Sequence, residues 1–481
     1  MASPPESYVP FNTESQFQLS IPSPTIQTVP TFGGLDTLEC LPASSLLPAT
    51  EQLLTSLYFD HIQPIFPLFR KPVFYQQLIT HGVPDMLLAA MFAISSRFIP
   101  PRRMDELFSA MSNPGDHFSH IAQQKLERRL KANYPITLID VKVACLLALY
   151  EYTKSPSRQG WVLVGNAVRL ALMAQLHQVD CLDSRASGSP GEMEEWRFVW
   201  WTIWRLDCTV NVTACTPFGI DRQMIGTNLV TTTVEDFTAG NVEAGVSIFP
   251  EMDPVKFWTS PAGPQLCDAG DGFNTHLFAT SLLRAVSECQ QRLNIKPSED
   301  EIKRIAELDD ILSSVHCILP DSFFHSRRQE TEGVHSHRLR LETIVMLNTA
   351  QLIIHEPVNP LMMTMALPPD SRTVSLKSWQ DSITFARAIA DVLNGWPPNY
   401  FAVSDPIISC AIWHAYCGLT LYGMSGLKAS TSGSTVEESL HILRTSLEKY
   451  TTYWPIARVL QDSLQIMQAW SWATVDIRKL R

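Results

Sequence analysis

The side chains in this 481-residue chain best able to hold a metal or act as nucleophiles are ten cysteines and thirteen histidines. The cysteines stand at 40, 145, 181, 208, 215, 267, 289, 317, 410 and 417, and no two form a CxxC pair. Zinc clamps built from thiolates use such short spacings. The dispersed cysteines therefore read as reduced, core-packed thiols of a cytosolic or nuclear protein. Cys208 and Cys215 are seven apart, as are Cys410 and Cys417, which on a helix is one shared face. His414 joins the second pair, and a buried helix explains that trio better than a soft metal does. His335-Ser336-His337 reads as an exposed helix start. Residues 268–272, Asp-Ala-Gly-Asp-Gly, lack the bidentate Glu that closes a calcium loop. The sequence has no Gly-x-Ser-x-Gly elbow, GxxxxGK[ST] loop or GxGxxG following a strand. No named reaction, metal or cofactor is supported, and the chain reads as a non-enzyme.

One carboxylate is better placed for a specific role. Asp207 lies on an apolar stripe with Trp196, Trp200, Ile203 and Val210 in the stretch 192–221, EMEEWRFVWWTIWRLDCTVNVTACTPFGID. Trp196, Trp200, Trp201 and Trp204 fall within nine positions. A helix apolar on most of its surface is buried on more than one side, so Asp207 needs a partner or a raised pKa. Ser189, Pro190 and Glu192 form a capping-box start. Glu194 and Glu195 come next in the first turn, where the helix dipole favours negative charge. Pro217 ends the helix. The sequon at Asn211 falls inside it and reads as chance.

The elements around this helix read as all-α. Residues 51–78 contain a helix broken at Pro64 and Pro67, then a second short helix, with a large aromatic payload. Apolar helices come next at 85–98, 137–152 and 157–177. In the last of these, Trp161, Val164, Val168, Leu172 and Gln175 are spaced for one face, with Gly165 and Ala171 small enough for close packing. Between them, 119–131 is amphipathic, with Lys125, Arg128, Arg129 and Lys131 on a basic face that reads as solvated. Residues 219–274 lose periodicity and read as a long loop with a short helix near 254–258. Helical patterns return at 274–293, 298–312, 336–355, 375–393, 405–421, 436–449 and 453–477. Residues 429–435 read as a flexible loop. The uncharged run 406–427 is long enough to span a bilayer, but its Ser, Thr, Gly and His content makes it a core helix.

Composition limits the partners. The chain is 45% hydrophobic with a net charge of −11, and no Lys or Arg precedes Arg70. Gripping nucleic acid normally takes a basic face, so unaided DNA binding is not expected. Residues 1–47 are rich in Pro, Ser, Thr and Gln and read as a disordered tail, a linker in preference to a partner-binding segment. They lack the basic start and apolar core of a secretory signal. The expected organisation is a tail over 1–47 and one helical domain over 48–480, with core motifs at 50–230.

The stretch 192–221 resembles the signature of the fungal-specific transcription factor domain, or middle homology region. Glu194, Glu195 and Arg197 match its acidic-then-basic lead and Trp200–Trp201 its aromatic pair. Leu206–Asp207 match its Leu-Asp step, Pro217 its turn, and Ile220–Asp221 the short acidic segment after that turn. Cys208 replaces the usual Arg, and Cys215–Thr216 the usual Gly-Arg. The segments 51–78, 85–98 and 157–177 are of the family's type, with Arg169 and Leu176–His177 in family positions. The resemblance implies a multi-helix regulatory array, a nuclear location and a role tuning transcription, with secondary-metabolite gene clusters as a setting. It implies Arg169, His177, Trp200, Trp204 and Asp207 as a regulatory core or ligand pocket. The family's usual DNA-binding partner is a six-cysteine zinc cluster, which these cysteine spacings do not form. The implied partners are thus a protein that supplies DNA binding, or a homo- or heterodimer, and a small-molecule effector, without a membrane. The rival reading is a small-molecule-binding protein or enzyme reusing the same array.

Overall fold

The Trp-rich helix, Pro190–Ala214, is the longest buried element of the motif-bearing stretch, and it touches both halves of the helical array. The computed structural model describes residues 46–109, 111–181, 188–243, 245, 248–251, 253–260, 272–356, 369–424 and 433–473. Among them lie 17 α-helices and no strand. The first seven are α1 (Pro48–His61), α2 (Lys71–Ile79), α3 (Asp85–Ser95), α4 (Pro101–Phe108), α5 (Pro114–Lys131), α6 (Leu138–Lys154) and α7 (Arg158–Met173). The Trp-rich helix is α8, followed by α9 (Val234–Ala239) and α10 (Pro254–Thr259). The C-terminal half holds α11 (Gly272–Ile295), α12 (Glu299–Ile318), α13 (Val334–His355), α14 (Pro369–Asn394), α15 (Ile407–Met424), α16 (Gly433–Tyr450) and α17 (Pro455–Ala473).

Helices α3, α5, α6 and α7 pack in succession, and α8 lies against α6 and α7 on one side and α11 on the other. Helix α11 packs on α12 and α13, and α13 on α14 and α15. Helix α17 returns to touch α6, which closes the array. Side-chain caps mark many of the starts. Thr137 and Asp140 form a capping box on α6, Ser189 and Glu192 on α8, and Ser298 caps α12. Helix α15 has a mean hydropathy of 1.3 over 18 residues. It packs against α13, α14, α16 and α17 as a core helix.

Several expectations need correction. Helix α5 starts at Pro114 under an Asn113 cap, well before Ser119. The segment after α8 is less irregular than its composition implies: α9 lies within it, as does the expected short helix, α10. Its Thr227, Leu229, Val230 and Phe237 are buried. On α7, Trp161 is 46% exposed and Gln175 lies beyond the helix end with φ +56°. The close contact there is made by Gly160, where a Cβ would stand 3.1 Å from the Tyr152 Cα, and not by Gly165. Helix α8 ends before Pro217, because Cys215 turns the chain left-handed at φ +51°, ψ +42°. His337 is buried rather than exposed, with its ring nitrogens on the Tyr400 hydroxyl and the Ser326 carbonyl. The expected tail lies outside the described residues up to 45, as do most of residues 268–272 and 429–435.

The end of α8 gives a first test. A left-handed non-Gly residue costs about 1–2 kcal/mol, and Gly removes that cost while adding freedom to the unfolded chain. Cys215→Gly is expected to stabilise the protein by about 0.5–1 kcal/mol, read as a raised midpoint in chemical denaturation.

Candidate functional site

Each charged residue of α8 ties down a different part of the chain. Glu194, buried in the first turn, accepts from the Thr231 and Thr232 backbone N–H groups, the Thr232 hydroxyl and Arg197. Two of the three consecutive threonines are thus fastened by one carboxylate, and the third, Thr233, caps α9. Arg197 also pairs with Asp180, whose carboxylate takes the Asn228 N–H at 2.8 Å. Asp207 accepts from the backbone N–H groups of Gly219 and Ile220 at 3.0–3.1 Å and from the Asn211 amide at 2.8 Å. Burial raises its pKa against the pull of these bonds and of nearby Arg284. Arg284 holds the Ile220 carbonyl at 2.7 Å, so the turn after α8 is gripped from both sides. Asn211, spent on Asp207, is buried and closed to a glycan as folded.

Arg205 reaches furthest. It is 2% exposed and donates to the Ile65 carbonyl at 3.1 Å and to Asp405 at 2.7 Å. The Asp405 N–H donates to Glu342, which pairs with Arg338, and Arg338 donates to the Pro64 carbonyl at 2.9 Å. Two guanidinium groups and two carboxylates therefore bridge the α1–α2 loop, α8, α13 and the start of α15 in the interior. Burial pushes the Glu342 carboxyl up, and Arg338 pulls it back.

His276 of α11 sits against this cluster, fully buried, with Nδ1 3.2 Å from the Thr343 hydroxyl. Burial holds its pKa well below 6.5, and the Arg205 and Arg338 charges push the same way. A depressed folded-state value stabilises the fold above the unfolded value near 6.5, and that stability is lost as pH falls through the folded value. His61, His117, His335 and His337 are lowered too, each with burial first among the causes. Stability is expected to fall between pH 7 and pH 5, and His276→Gln to flatten that slope. Glu342 acts with the opposite sign, so denaturation of this pair of proteins across the range isolates His276.

The residues singled out from the sequence do not line one pocket. Trp200 is fully buried, with its ring centroid 6.2 Å from that of His177. Trp204, also buried, helps line a small recess of about 30 Å³ with Trp201, Leu277 and Phe278, room for about two waters. Asp207 serves the turn. Arg169 is exposed on α7, 3.3 Å from the Asn166 side chain. His414 pairs through Nε2 with Glu356 at 2.7 Å.

The larger space is a cleft of about 230 Å³ between α2, α6 and the first turn of α8. Glu195 accepts there from Arg70 Nε at 2.8 Å and from the buried Lys142 ammonium. Arg70, Lys142, Arg205, Arg338, Glu342 and Asp405 are positions of the cleft and the buried ion-pair cluster that sequence reasoning missed. A signal existed for four of them, because a lone charge in an apolar helix needs a partner just as Asp207 does.

A family model described as the fungal specific transcription factor domain matches residues 55–260. Transcription factor tazR of Aspergillus terreus (strain NIH 2624 / FGSC A1156) is 26% identical over 193 residues, 37% of this chain and 28% of the relative. The citrinin biosynthesis transcriptional activator mrl3 of Monascus ruber is 23% identical over 263 residues, 52% of this chain and 49% of the relative. The Zn(2)-C6 fungal-type transcription factor FTF1a of Fusarium oxysporum f. sp. lycopersici is 28% identical over 145 residues, 29% of this chain and 12% of the relative. The chain thus spans about half or less of the length of these curated relatives.

Proposed function

Residues 55–260 form a fungal specific transcription factor domain, and from that premise we propose that this chain is a nuclear regulator of transcription that controls a secondary-metabolite pathway and does no catalysis. The matched segment carries the proposal: Glu194, Arg197, Arg205 and Asp207, buried or nearly so on its Trp-rich helix, secure the helical array. Relatives named as a transcription factor and as a citrinin activator support the setting. DNA contact comes from a partner or from a segment beyond these residues. On the basic face of α5, Lys125 pairs with Asp85 at 2.7 Å and Arg129 with Asp140 at 2.6 Å, while Lys131 lies 3.9 Å from Glu127. Of its four cations, only Arg128 has no ion-pair partner among the described residues. At a net charge of −11, long-range electrostatics oppose approach to phosphate.

The role is tested by deleting the gene and sequencing transcripts. A coherent loss from one biosynthetic gene set is expected, and a metabolite change without a transcript change would overturn the proposal. A salt titration of the purified chain against promoter and scrambled duplexes is expected to show weak, equal and steeply salt-dependent binding. Sequence-selective binding at physiological salt would refute the need for a second DNA-binding element.

A further inference from the structure

We propose that the cleft between α2, α6 and the first turn of α8 binds a small organic acid, a carboxylate on an apolar body, as this protein's effector. The effector role rests on the regulatory reading above; binding itself does not.

The cleft has about 230 Å³, against about 30 Å³ for the recess at Trp204. Phe69, Phe74, Leu87, Ile139 and Trp196 supply apolar walls. Its polar groups have been spent unequally. Both Glu195 oxygens are occupied, one by Arg70 Nε and one by Lys142 Nζ. Arg70 commits only Nε, and its two terminal nitrogens donate to no acceptor among the described residues. Lys142 commits one of three N–H bonds, and its ammonium lies 4.4 Å from the Phe69 ring centroid. Lys142 is 4% exposed. Glu192 stays at the rim, bonded to Ser189. The unspent capacity of Arg70 and Lys142 is therefore all donor, while Glu192 and the Gln77 amide line the mouth of the cleft. A ligand that completes the site brings acceptors and negative charge, and a carboxylate can lie bidentate on the Arg70 fork. The apolar walls require that the charge be carried on a hydrophobic body, because a bare inorganic anion would leave them facing water.

Gly191 offers a separate handle on this geometry. A Cβ there would stand 2.5 Å from Arg70 Nη1. Gly191→Ala therefore moves the guanidinium while removing no charge.

The test measures binding of benzoate, benzamide and inorganic phosphate to the purified full chain by saturation-transfer NMR and calorimetry. Benzoate is expected to bind with Kd on the order of 1 mM, and benzamide and phosphate at least tenfold more weakly. Arg70→Gln and Gly191→Ala are each expected to weaken benzoate tenfold or more. Unchanged cooperative unfolding in Gly191→Ala controls for the fold. Equal binding of benzoate and benzamide, phosphate matching benzoate, benzoate indifferent to both substitutions, or no binding at 10 mM would each overturn the site. Because none of these readouts involves transcription, the site and the regulatory role fail separately.

Discussion

Asp405→Ala is expected to cost the fold about 3–5 kcal/mol, the penalty of stranding one partner of a buried ion pair. That is a large share of the roughly 5–15 kcal/mol that holds a typical domain. The stranded group would be Arg205, at 2% exposure. Asp405 has a second job, since its Oδ1 accepts the Ile407 N–H at 3.0 Å and caps α15. Asp405→Asn keeps a cap oxygen and removes the charge, so it separates the two losses. A lost cap contributes about 1 kcal/mol, and the rest belongs to the charge. In the double variant Arg205→Met with Asp405→Asn, no unpaired charge remains. Its loss is expected to be smaller than that of Asp405→Asn alone, as read from urea denaturation. A double variant that falls by the sum of the singles would show that the pair is not coupled. The stakes reach beyond stability. Arg205 belongs to the matched segment and Asp405 lies 200 residues later, so this pair ties that segment to the C-terminal helices.

Local features were legible in the sequence where one helix writes its own rules. The capping box of α8 and the burial of Trp200 and Trp204 both follow from spacing and residue type. The need of Asp207 for partners was legible for the same reason, since a carboxylate on an apolar stripe has to be satisfied. The identity of the partner could not be read. Glu194 looked like a first-turn acid placed for the helix dipole, yet it is 1% exposed and holds the backbone of residues 231 and 232. Nothing in periodicity links those positions, because the helical repeat of α8 ends at Ala214, well before residues 231 and 232. The end of α8 was misread because Pro217 is a visible breaker while a left-handed Cys215 leaves no mark in composition. The cleft was missed for a related reason: Arg70, Lys142 and Glu195 come from three separate places in the chain, and only tertiary packing brings them together.

Trp200→Ala is the other substitution of large expected effect, at about 3–5 kcal/mol. Trp200 is fully buried, with its ring centroid 6.4 Å from that of Trp201, which in turn lies 5.5 Å from that of Trp204. Removing the indole leaves a cavity that neighbouring rings on a rigid helix cannot close. The polar halves of these tryptophans make a sharper comparison. The Trp200 N–H meets no acceptor among the described residues, whereas Trp201 donates to the Asn228 carbonyl at 2.8 Å. Phe at position 200 therefore loses volume only. Phe at position 201 loses volume and leaves a part-buried carbonyl unpaired, a further cost of about 1 kcal/mol. Trp161, 46% exposed, serves as the surface control, and Trp161→Ala should fall well short of either core truncation. Denaturation of the four variants against the parent gives the order directly. Trp200→Phe destabilising more than Trp201→Phe would mean that the Trp200 N–H has a partner which α8 and its neighbours do not supply.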